Sequence, residues 1–382
     1  MTEMIPVEQN NASSPNPEET SSFTVIGSGI IGLLTAHQLV DQGHKVTVVS
    51  REGQPNMGTN STSAIAVGQF LPWLPEAHAR TVMHGMSSGL SEIVDFGREF
   101  YTDLAKHPAE TGVMPVRNVE LVGEADPWPT NLPSAMNVES LELPEPIAIT
   151  GPDGKPEQFT EEYIFDTFSI NTRKTLAWLA QQAKEKGVKF EVAHIKPEDL
   201  ARMEGVVINA TGMGAQELTG AIDIRHYKGH TIIIQPREGQ MVPTEAISAS
   251  DLIIVPREDG TVIAGALYRE NPKRPQPEAD EAEELLARLA ELATKTVGLV
   301  EGLNPELFTE GEIIVHQAGY RVVIGSGGIR VAPDEKLENI LHAYGFSGIG
   351  WSVGPHFAKT IAQKAIAMHH KRRNNVTGGS HT

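Results

Sequence analysis

The chain has 382 residues, 40% of them hydrophobic and 21% charged, a balance typical of a globular protein large enough for two lobes. Its net charge of −18 argues against nucleic acid or an anionic membrane surface as a partner. It contains no cysteine, which excludes disulfides, thiolate catalysis, iron–sulfur clusters and a cysteinyl bond to a flavin.

Residues 1–21 are polar and lack the apolar core of a secretory signal, so we predict a disordered tail and a cytoplasmic location. No later run approaches the roughly 18 apolar residues that span a bilayer. We therefore expect no membrane association. The histidine spacings are not those of a metal site, and no metal is predicted.

Residues 22–50 predict a strand, a helix and a strand, and the first turn carries Gly27, Gly29 and Gly32 in the pattern Gly-x-Gly-x-x-Gly. The three glycines permit a tight turn, close approach of a pyrophosphate, and close packing of helix on strand. The helix N-terminus adds free N–H groups and a positive dipole end. The segment predicts a bound dinucleotide, although the motif alone also occurs as a structural turn.

The second strand ends at Ser50 and Arg51, where a nicotinamide-binding protein usually carries Asp or Glu for the ribose hydroxyls. This difference weakens the interpretation as a plain NAD enzyme. Arg51 either contacts the adenosine or a phosphate, or is an exposed side chain at a strand end. The sequence leaves both open.

Further along, we predict a helix near residues 76–105, short strands and loops from 111 to 159, and an amphipathic helix from Thr172 that ends at Gly187. A strand, "VKFEVAHI", follows. The stretch "VVINATG" predicts a buried strand that runs into a turn of small residues. There Thr211 and Gly212 either approach the nucleotide or form an ordinary turn.

Residues 228–268 predict several short strands, and residues 277–300 an amphipathic helix whose leucine stripe packs in the core. The stretch "HAYGFSGIGWSVGPHFAKTIA" predicts a strand, a glycine-rich turn and a helix. The helix N-terminus would stabilise negative charge on a reduced flavin ring. Residues 372–382 predict a second disordered tail. Nucleotide-binding segments at the start, middle and end indicate one interleaved unit.

Together with "TSAIAVGQFLPWLP", "YKGHTIII" and "AGYR", these motifs resemble in order and spacing the D-amino acid oxidase family of FAD-dependent oxidoreductases, from about residue 23 to residue 368. The resemblance implies an α/β fold. A doubly wound, Rossmann-like FAD-binding domain is interleaved with a substrate-binding domain on a mixed or antiparallel sheet. The first domain would take residues 22–75, 165–225 and 332–371, and the second residues 76–164 and 226–331.

The resemblance also implies a non-covalently bound FAD. The residues expected to bind it are Gly27, Ser28, Gly29, Ile30, Ile31, Gly32, Ser50, Arg51, Thr62, Ser63, Ala66, Gly68, Thr211, Gly212, Gly345, Ser347, Gly348, Ile349, Gly350 and Trp351. Those up to Arg51 would line the ADP part, and those from Gly345 onward the pyrimidine edge of the flavin.

For the reaction, the resemblance implies that Arg321 clamps the substrate carboxylate and that the backbone carbonyl of Gly348 accepts a hydrogen bond from the substrate amine. The Cα hydrogen then faces the flavin, and hydride leaves without an obligatory side-chain base. The imine hydrolyses to a keto acid and ammonia, and dioxygen yields hydrogen peroxide. The resemblance leaves homodimer formation open.

The sequence departs from the family at a tyrosine that binds the substrate carboxylate in D-amino acid oxidases. The matching position is Ile253, or Leu252 if the register slips, and neither side chain donates a hydrogen bond. The candidates that replace it by position are Tyr320, Tyr268, Trp73 and His230. His230 stands where the family usually has glutamine, and a satisfied core histidine is its simpler interpretation.

These departures leave several functions open. The first is oxidative deamination of a D-amino acid, with a specialised amine, glycine or sarcosine-type oxidase as a variant. The second is a nicotinamide-dependent dehydrogenase, against which Ser50 and the C-terminal glycine turn argue. The third is a protein that binds FAD without turnover.

Overall fold

The structure, a computed structural model, describes residues 21–71, 90–123, 137–220, 224–270, 277–325 and 328–378. The strands in this part of the chain are β1 (Ser22–Ile26), β2 (Lys45–Ser50), β3 (Val113–Val122), β4 (Glu139–Thr150), β5 (Pro156–Ile170), β6 (Lys189–Val192), β7 (Val206–Asn209), β8 (Ile224–Gln235), β9 (Ala246–Ala249), β10 (Leu252–Pro256), β11 (Val262–Glu270), β12 (Glu312–Ile324), β13 (Arg330–Pro333) and β14 (Ile340–Tyr344). The helices are α1 (Ile30–Val40), α2 (Leu90–Leu104), α3 (Pro108–Thr111), α4 (Thr172–Glu185), α5 (Pro197–Leu200), α6 (Gly214–Thr219), α7 (Ala279–Lys295), α8 (Glu306–Thr309) and α9 (Gly350–Gly378).

The first sheet has the strand order β13-β14-β7-β1-β2-β6, and its neighbours are parallel except for β13 and β14. Its central strands are short runs of buried Val, Ile and Leu, as expected where helices cover both faces of a sheet. Parallel strands end at the same edge. The turns after β1, β2, β7 and β14 therefore meet along one side of this sheet, where a doubly wound fold binds its ligand.

The second sheet has the strand order β12-β8-β11-β10-β9-β3-β5-β4, and only β3 and β9 pair in parallel. Side chains alternate between its two faces. On one face Ile232 and Ile254 pack in an apolar core with Leu285 and Leu289 of α7. The other face, which includes Thr231, borders a cavity between the two sheets.

The chain passes repeatedly from one sheet to the other. β1, β2, β6, β7, β13 and β14 build the first sheet, and β3 to β5 and β8 to β12 build the second. The predicted domain boundaries at residues 165 and 332 fall inside β5 and β13. Neither strand is divided, because β5 pairs wholly in the second sheet and β13 in the first.

Two predicted segments differ in length from the structure. The helix expected near residues 76–105 is described from residue 90 onward as α2, and its earlier part lies outside the described residues. The short strands expected between residues 111 and 159 are long. β3 and β5 pair over ten residues, from Val113 opposite Ile170 to Val122 opposite Glu161.

The prediction of a disordered tail from residue 372 is wrong at its start, because α9 continues to Gly378. Lys371, Arg372 and Arg373 extend the helix. Lysine and arginine are good helix formers, and cations near the C-terminus interact favourably with the helix dipole. Among the residues that the structure describes, no helix is long and apolar enough to cross a membrane.

Candidate active site between the two sheets

The turn between β1 and α1 forms a cradle made of backbone. Gly27 has a φ of +114°, and a Cβ there would clash with the carbonyl oxygen of Ala210. Only glycine tolerates both conditions. Gly29, the N-cap of α1, makes no side-chain cap, which leaves first-turn N–H groups other than that of Ile30 to bind an anion. Gly32 packs the helix on the strand, since a Cβ there would strike the Gly27 carbonyl. The cradle fits the pyrophosphate of a dinucleotide.

A cleft of about 660 Å³ lies beside this cradle. Ser28 Oγ donates to Ser50 Oγ at 3.0 Å across the ends of β1 and β2. Arg51, Thr211 and Gly212 line the same cleft. The fold thus gathers residues from three distant parts of the sequence where the predicted adenosine would lie.

The cleft also contains Arg173, which the sequence analysis did not single out. This first-turn residue of α4 donates to the Thr59 carbonyl, to Asn60 Oδ1 at 2.8 Å and to Gln317 Oε1 at 2.7 Å. Burial lowers the pKa of the Arg173 guanidinium, and the charge of Glu52 raises it in part. Arg173 therefore fixes the wall of the cleft, a role that no local pattern in the sequence signals.

A second cavity, of about 380 Å³, runs from the cradle between the two sheets. The predicted cofactor-binding residues that line it are Gly29, Ile30, Ile31, Thr62, Ser63, Ala66, Gly68, Gly212, Gly345, Ser347, Gly348, Ile349, Gly350 and Trp351. Gly29, Thr62, Ser63 and Gly212 line the adenosine-side cleft as well. A long ligand in the cleft therefore continues into this cavity.

Ser63 ties together the two helices that begin at the cavity. Its Oγ accepts a hydrogen bond from the Ile30 N–H at 3.1 Å, and its carbonyl accepts one from Trp351 Nε1 at 3.0 Å. The Tyr101 hydroxyl donates to the Trp351 carbonyl at 2.6 Å. These bonds hold the N-termini of α1 and α9 beside the same part of the cavity, where the two helix dipoles favour negative charge.

Arg321 on β12 lies against the turn that precedes α9. A Cβ at Gly348 would lie 2.8 Å from Arg321 Nη1, so the guanidinium packs directly on the Gly348 backbone. Both residues line the cavity. A guanidinium binds a carboxylate through two parallel hydrogen bonds. The structure thus brings together the two residues that the resemblance assigns to the substrate.

Tyr320 faces the other way from Arg321, because neighbouring residues on a strand alternate in direction. It pairs with Lys228 of β8, and its ring stacks on His226 with centroids 5.4 Å apart. Burial raises the pKa of the Tyr320 phenol, and the charge of Lys228 lowers it in part. Although Tyr320 borders the cavity, it does not share the face of Arg321 and is a poor replacement for the missing tyrosine.

His230 is a buried and partnered histidine. Its Nε2 lies 2.8 Å from Glu281 Oε2, and its Nδ1 lies 3.3 Å from His316 Nε2. The same oxygen of Glu281 lies 2.7 Å from Lys228 Nζ. Since Glu281 belongs to α7, this cluster lies on the face of the sheet away from the cavity. The placement agrees with the simpler interpretation of His230.

The strand register places Ile253 at the cavity. Ile253 pairs with Gly265 of β11 and lines the cavity. Leu252 also borders the cavity, but it is 1% exposed and packs in the core with the leucines of α7. The backbone of Tyr268 pairs with Gly229, another cavity residue. Trp73 lies outside the described residues. The position that the resemblance matches to the carboxylate-binding tyrosine therefore holds an apolar side chain at the cavity.

The far end of the cavity is polar, which the sequence analysis missed. Gln69, Glu120 and Ser248 line it, and Asn118 lies behind them. The spacing in "RNVEL" puts Asn118 and Glu120 on one face of a strand, but it does not tell whether that face meets solvent or a cavity. Within the described part of the chain, no group of His, Asp or Glu is arranged to hold a metal ion.

Comparisons with known proteins agree with this geometry. A model of the FAD-dependent oxidoreductase family matches residues 22–364. A D-amino-acid oxidase from Streptomyces coelicolor is 25% identical over 361 residues, which cover 91% of this chain and 98% of that protein. A D-amino-acid oxidase from Schizosaccharomyces pombe is 26% identical over 353 residues, which cover 87% of this chain and 92% of that protein.

Solved structures of related fold include oxidases of other amines. Glycine oxidase from Bacillus cereus superposes with a TM-score of 0.66 at 16% identity, over 91% of this chain and 95% of that one. Iminodiacetate oxidase from a Chelativorans species gives a TM-score of 0.66 at 15% identity, over 90% of this chain and 95% of that one. At these identities the likeness shows the shared fold.

Proposed function

Because the chain belongs to the family of FAD-dependent oxidoreductases, we propose that it oxidises the carbon–nitrogen bond of an amino acid, with a D-amino acid as the first candidate. The family establishes FAD as the cofactor, which removes the nicotinamide-dependent alternative. When bound, FAD supplies the hydride acceptor. The backbone cradle at Gly27 and Gly29 lies where the cleft on the adenosine side joins the cavity between the sheets. The cleft and the cavity together fit a ligand as long as FAD.

The observation that carries the proposal is the contact between Arg321 and Gly348 inside the cavity. The guanidinium holds the substrate carboxylate, and the neighbouring Gly348 carbonyl accepts a hydrogen bond from the neutral amine. These two contacts hold the Cα between them and limit it to rotation about the line that joins them. Catalysis then rests on positioning and electrostatics, and needs no side-chain base.

The step balances without another residue. The Cα–H bond breaks, its electron pair leaves as hydride, and the amine nitrogen forms the imine double bond and loses a proton to solvent. Water then converts the imine to a keto acid and ammonia. Dioxygen takes the two electrons in the proposed reoxidation and becomes hydrogen peroxide. We place this chemistry in the cytoplasm, with the homodimer as the assembly to test.

A second candidate is oxidation of glycine or a secondary amine such as an N-substituted glycine. Ile253 favours it, because an apolar residue replaces the hydrogen-bond donor expected for D-amino acids. The solved glycine and iminodiacetate oxidases share the fold. Both candidates use the same carboxylate clamp, so they differ only in what the rest of the cavity accepts.

Anaerobic absorbance spectroscopy tests the proposal. The purified holoenzyme is mixed with a pool of D-amino acids, the matched L-amino acids, or glycine, sarcosine and iminodiacetate. Bleaching of the flavin band by the D pool alone supports the first candidate, and bleaching by the third pool supports the second. A spectrum that stays oxidised with all three pools would contradict both. Air readmitted to a bleached sample should restore the band and release peroxide.

Replacing Gly27 with alanine should weaken FAD binding roughly 10- to 100-fold, since a backbone forced from this conformation is strained by about 1–3 kcal/mol. The new Cβ meets the Ala210 carbonyl, so the cradle itself must shift. Titration of the apoprotein with FAD, followed by fluorescence quenching, measures the effect. Gly187→Ala is the control, because Gly187 has a φ of +96° but open space around it. Equal affinities in both variants would contradict the assignment of the cradle.

A further inference from the structure

One wall of the adenosine-side cleft is a turn that a buried side chain holds from behind. β7 ends at Asn209, and the turn that follows carries Thr211 and Gly212, which line the cleft. Asn209 is fully buried, and its Oδ1 accepts from Thr211 Oγ1 at 2.7 Å and from the Thr211 N–H at 3.3 Å. The turn also packs on the cradle, since a Cβ at Gly27 would lie 3.3 Å from Thr211 Cα. The orientation of the Asn209 amide therefore shapes the wall.

His342 on the neighbouring strand β14 fixes that orientation. It pairs with Asn209 in the sheet and is 1% exposed, and its Nδ1 lies 3.3 Å from Asn209 Nδ2. The Thr211 N–H can only donate, so Oδ1 of Asn209 must face it and Nδ2 must face His342. Nδ1 of His342 therefore accepts and carries no proton. The proton of the neutral imidazole is on Nε2, which donates to Asp334 Oδ2 at 2.9 Å.

Asp334 anchors the other end of this chain of hydrogen bonds. Its Oδ1 accepts from the N–H groups of Lys336 and Leu337, both at 2.8 Å. Burial opposes ionisation of Asp334, but the hydrogen bonds from Leu337, Lys336 and His342 outweigh burial and hold its pKa below the ordinary value. An ionised carboxylate only accepts, so Asp334 requires the same tautomer of His342 that Asn209 requires. The chain therefore has one consistent direction from Asp334 to the turn.

A proton on Nδ1 of His342 would break the chain, because two donors would then face each other. Asn209 would have to turn its Oδ1 toward His342, and its Nδ2 would meet the Thr211 N–H. Burial lowers the pKa of His342, although the hydrogen bond to Asp334 raises it in part and the charge of Arg330 lowers it further. The neutral imidazole that the chain needs is therefore the favoured form near neutral pH.

Other titratable groups lie on the elements that pack against this face of β14. They belong to α5, α6 and β14 itself and are Glu198, Asp199, Glu217 and Tyr344. Glu217 is engaged with His194 at 3.1 Å, and Asp199 accepts from the Lys196 N–H. The Tyr344 ring lies edge-on to the His342 imidazole with centroids 5.5 Å apart, and a phenol titrates far above neutral pH. Asp334 is the carboxylate that binds the imidazole directly.

We propose that Asp334, His342 and Asn209 are positioning residues for the cofactor, and that their hydrogen bonds hold the turn at Thr211 and Gly212 in the conformation that receives FAD. The three residues line neither the cleft nor the cavity, so they act through the turn. The role requires a neutral His342. It concerns the cofactor site and holds whichever substrate the enzyme oxidises.

Titration of the apoprotein with FAD at a series of pH values, followed by flavin fluorescence, measures this role. His342 is neutral above its pKa, which lies below the ordinary 6.5, so the affinity for FAD should be constant at higher pH. Acidification through that pKa should weaken binding by up to about tenfold per pH unit, the limit for uptake of one proton. His342→Gln can make both hydrogen bonds without titrating. It should bind FAD like the unmodified protein at neutral pH and lose the acid step.

His342→Leu removes both bonds and lets the Asn209 amide reorient. If the competent orientation falls to about a tenth of the population, the apparent Kd for FAD rises about tenfold at neutral pH. His194→Gln is the matched control, because His194 is an exposed imidazole that lines the cleft outside the chain, so this variant should keep the acid step. An acid step that survives in His342→Gln would overturn the inference. So would equally weak binding of FAD by His342→Gln and His342→Leu at neutral pH.

Asn209→Asp gives a result that loss of packing alone would not produce. Its carboxylate presents acceptors to both Thr211 and His342, so the chain now requires a proton on Nδ1. FAD binding should then weaken as the pH rises, the reverse of the unmodified protein. An unchanged direction in this variant would contradict the chain. Because these titrations contain no amino acid, failure of the proposed reaction would leave their result intact.

Discussion

Replacement of Arg321 with alanine is expected to lower kcat/KM by about 10³-fold, because removing one partner of a buried, hydrogen-bonded ion pair weakens binding by 2–5 kcal/mol. The flavin should remain bound, since the cradle and the N-terminus of α9 are built from other residues. The loss should appear in both KM and kcat. In the proposed reaction the clamp orients the Cα hydrogen as well as holding the carboxylate.

Arg225→Ala is the matched control, because Arg225 lies on the neighbouring strand β8 and is exposed. Steady-state oxygen consumption and the flavin content of each purified variant are the two readouts. Unchanged kinetics in Arg321→Ala would contradict the clamp. The same measurement addresses the alternative of a protein that binds FAD without turnover, since such a protein shows no activity before the substitution either.

The second large effect is expected on stability. Glu281→Ala should lower the free energy of unfolding by about 3–5 kcal/mol, because it removes the buried counterion of a buried lysine. Lys228 is fully buried, and its Nζ lies 2.7 Å from Glu281 Oε2. His230 loses its nearest carboxylate in the same variant. Urea denaturation of the holoenzyme measures the change.

Glu278→Ala serves as its control, because Glu278 also approaches Lys228 Nζ, at 3.4 Å, but has a side chain that is 60% exposed. An exposed pair contributes little, so the loss should stay below about 1 kcal/mol. Lys228→Met combined with Glu281→Leu should recover much of the loss, as apolar replacements of buried ion pairs do. If Glu281→Ala were no more damaging than Glu278→Ala, the buried cluster would not be a stabilising unit.

The nucleotide end of the site could be predicted from sequence because its function depends on backbone. Gly27, Gly29 and Gly32 indicate a turn that few other residues can form. In the structure, a Cβ at Gly27 or Gly32 would clash with a backbone carbonyl, which explains the need for glycine there. Arg321 and Gly348 were paired by resemblance to the family. Their contact lies between β12 and the turn before α9, which local patterns do not link.

The substrate end was harder to predict because it depends on which face of a strand meets the cavity. Tyr320 is adjacent to Arg321 in sequence, yet alternation sends its ring to the opposite face, against His226. Glu120 was missed for the same reason, because polar residues on alternate positions also occur on solvent-facing strands. The pairing of β3 with β9 and of β9 with β10 brings Glu120 to the cavity that Ile253 lines.

The interleaved order of the first sheet has a consequence for synthesis on the ribosome. β1, α1 and β2 emerge first, but β7, which pairs with the other edge of β1, and β14, which pairs with β7, are translated much later, and α9 after them. Until then the apolar strand β1 can pair only with β2, and the missing non-local pairing is slow and exposed to aggregation. The growing chain therefore cannot enclose the cofactor until the turn before α9 has been made, because residues 345–351 line the same cavity as residues 29–31.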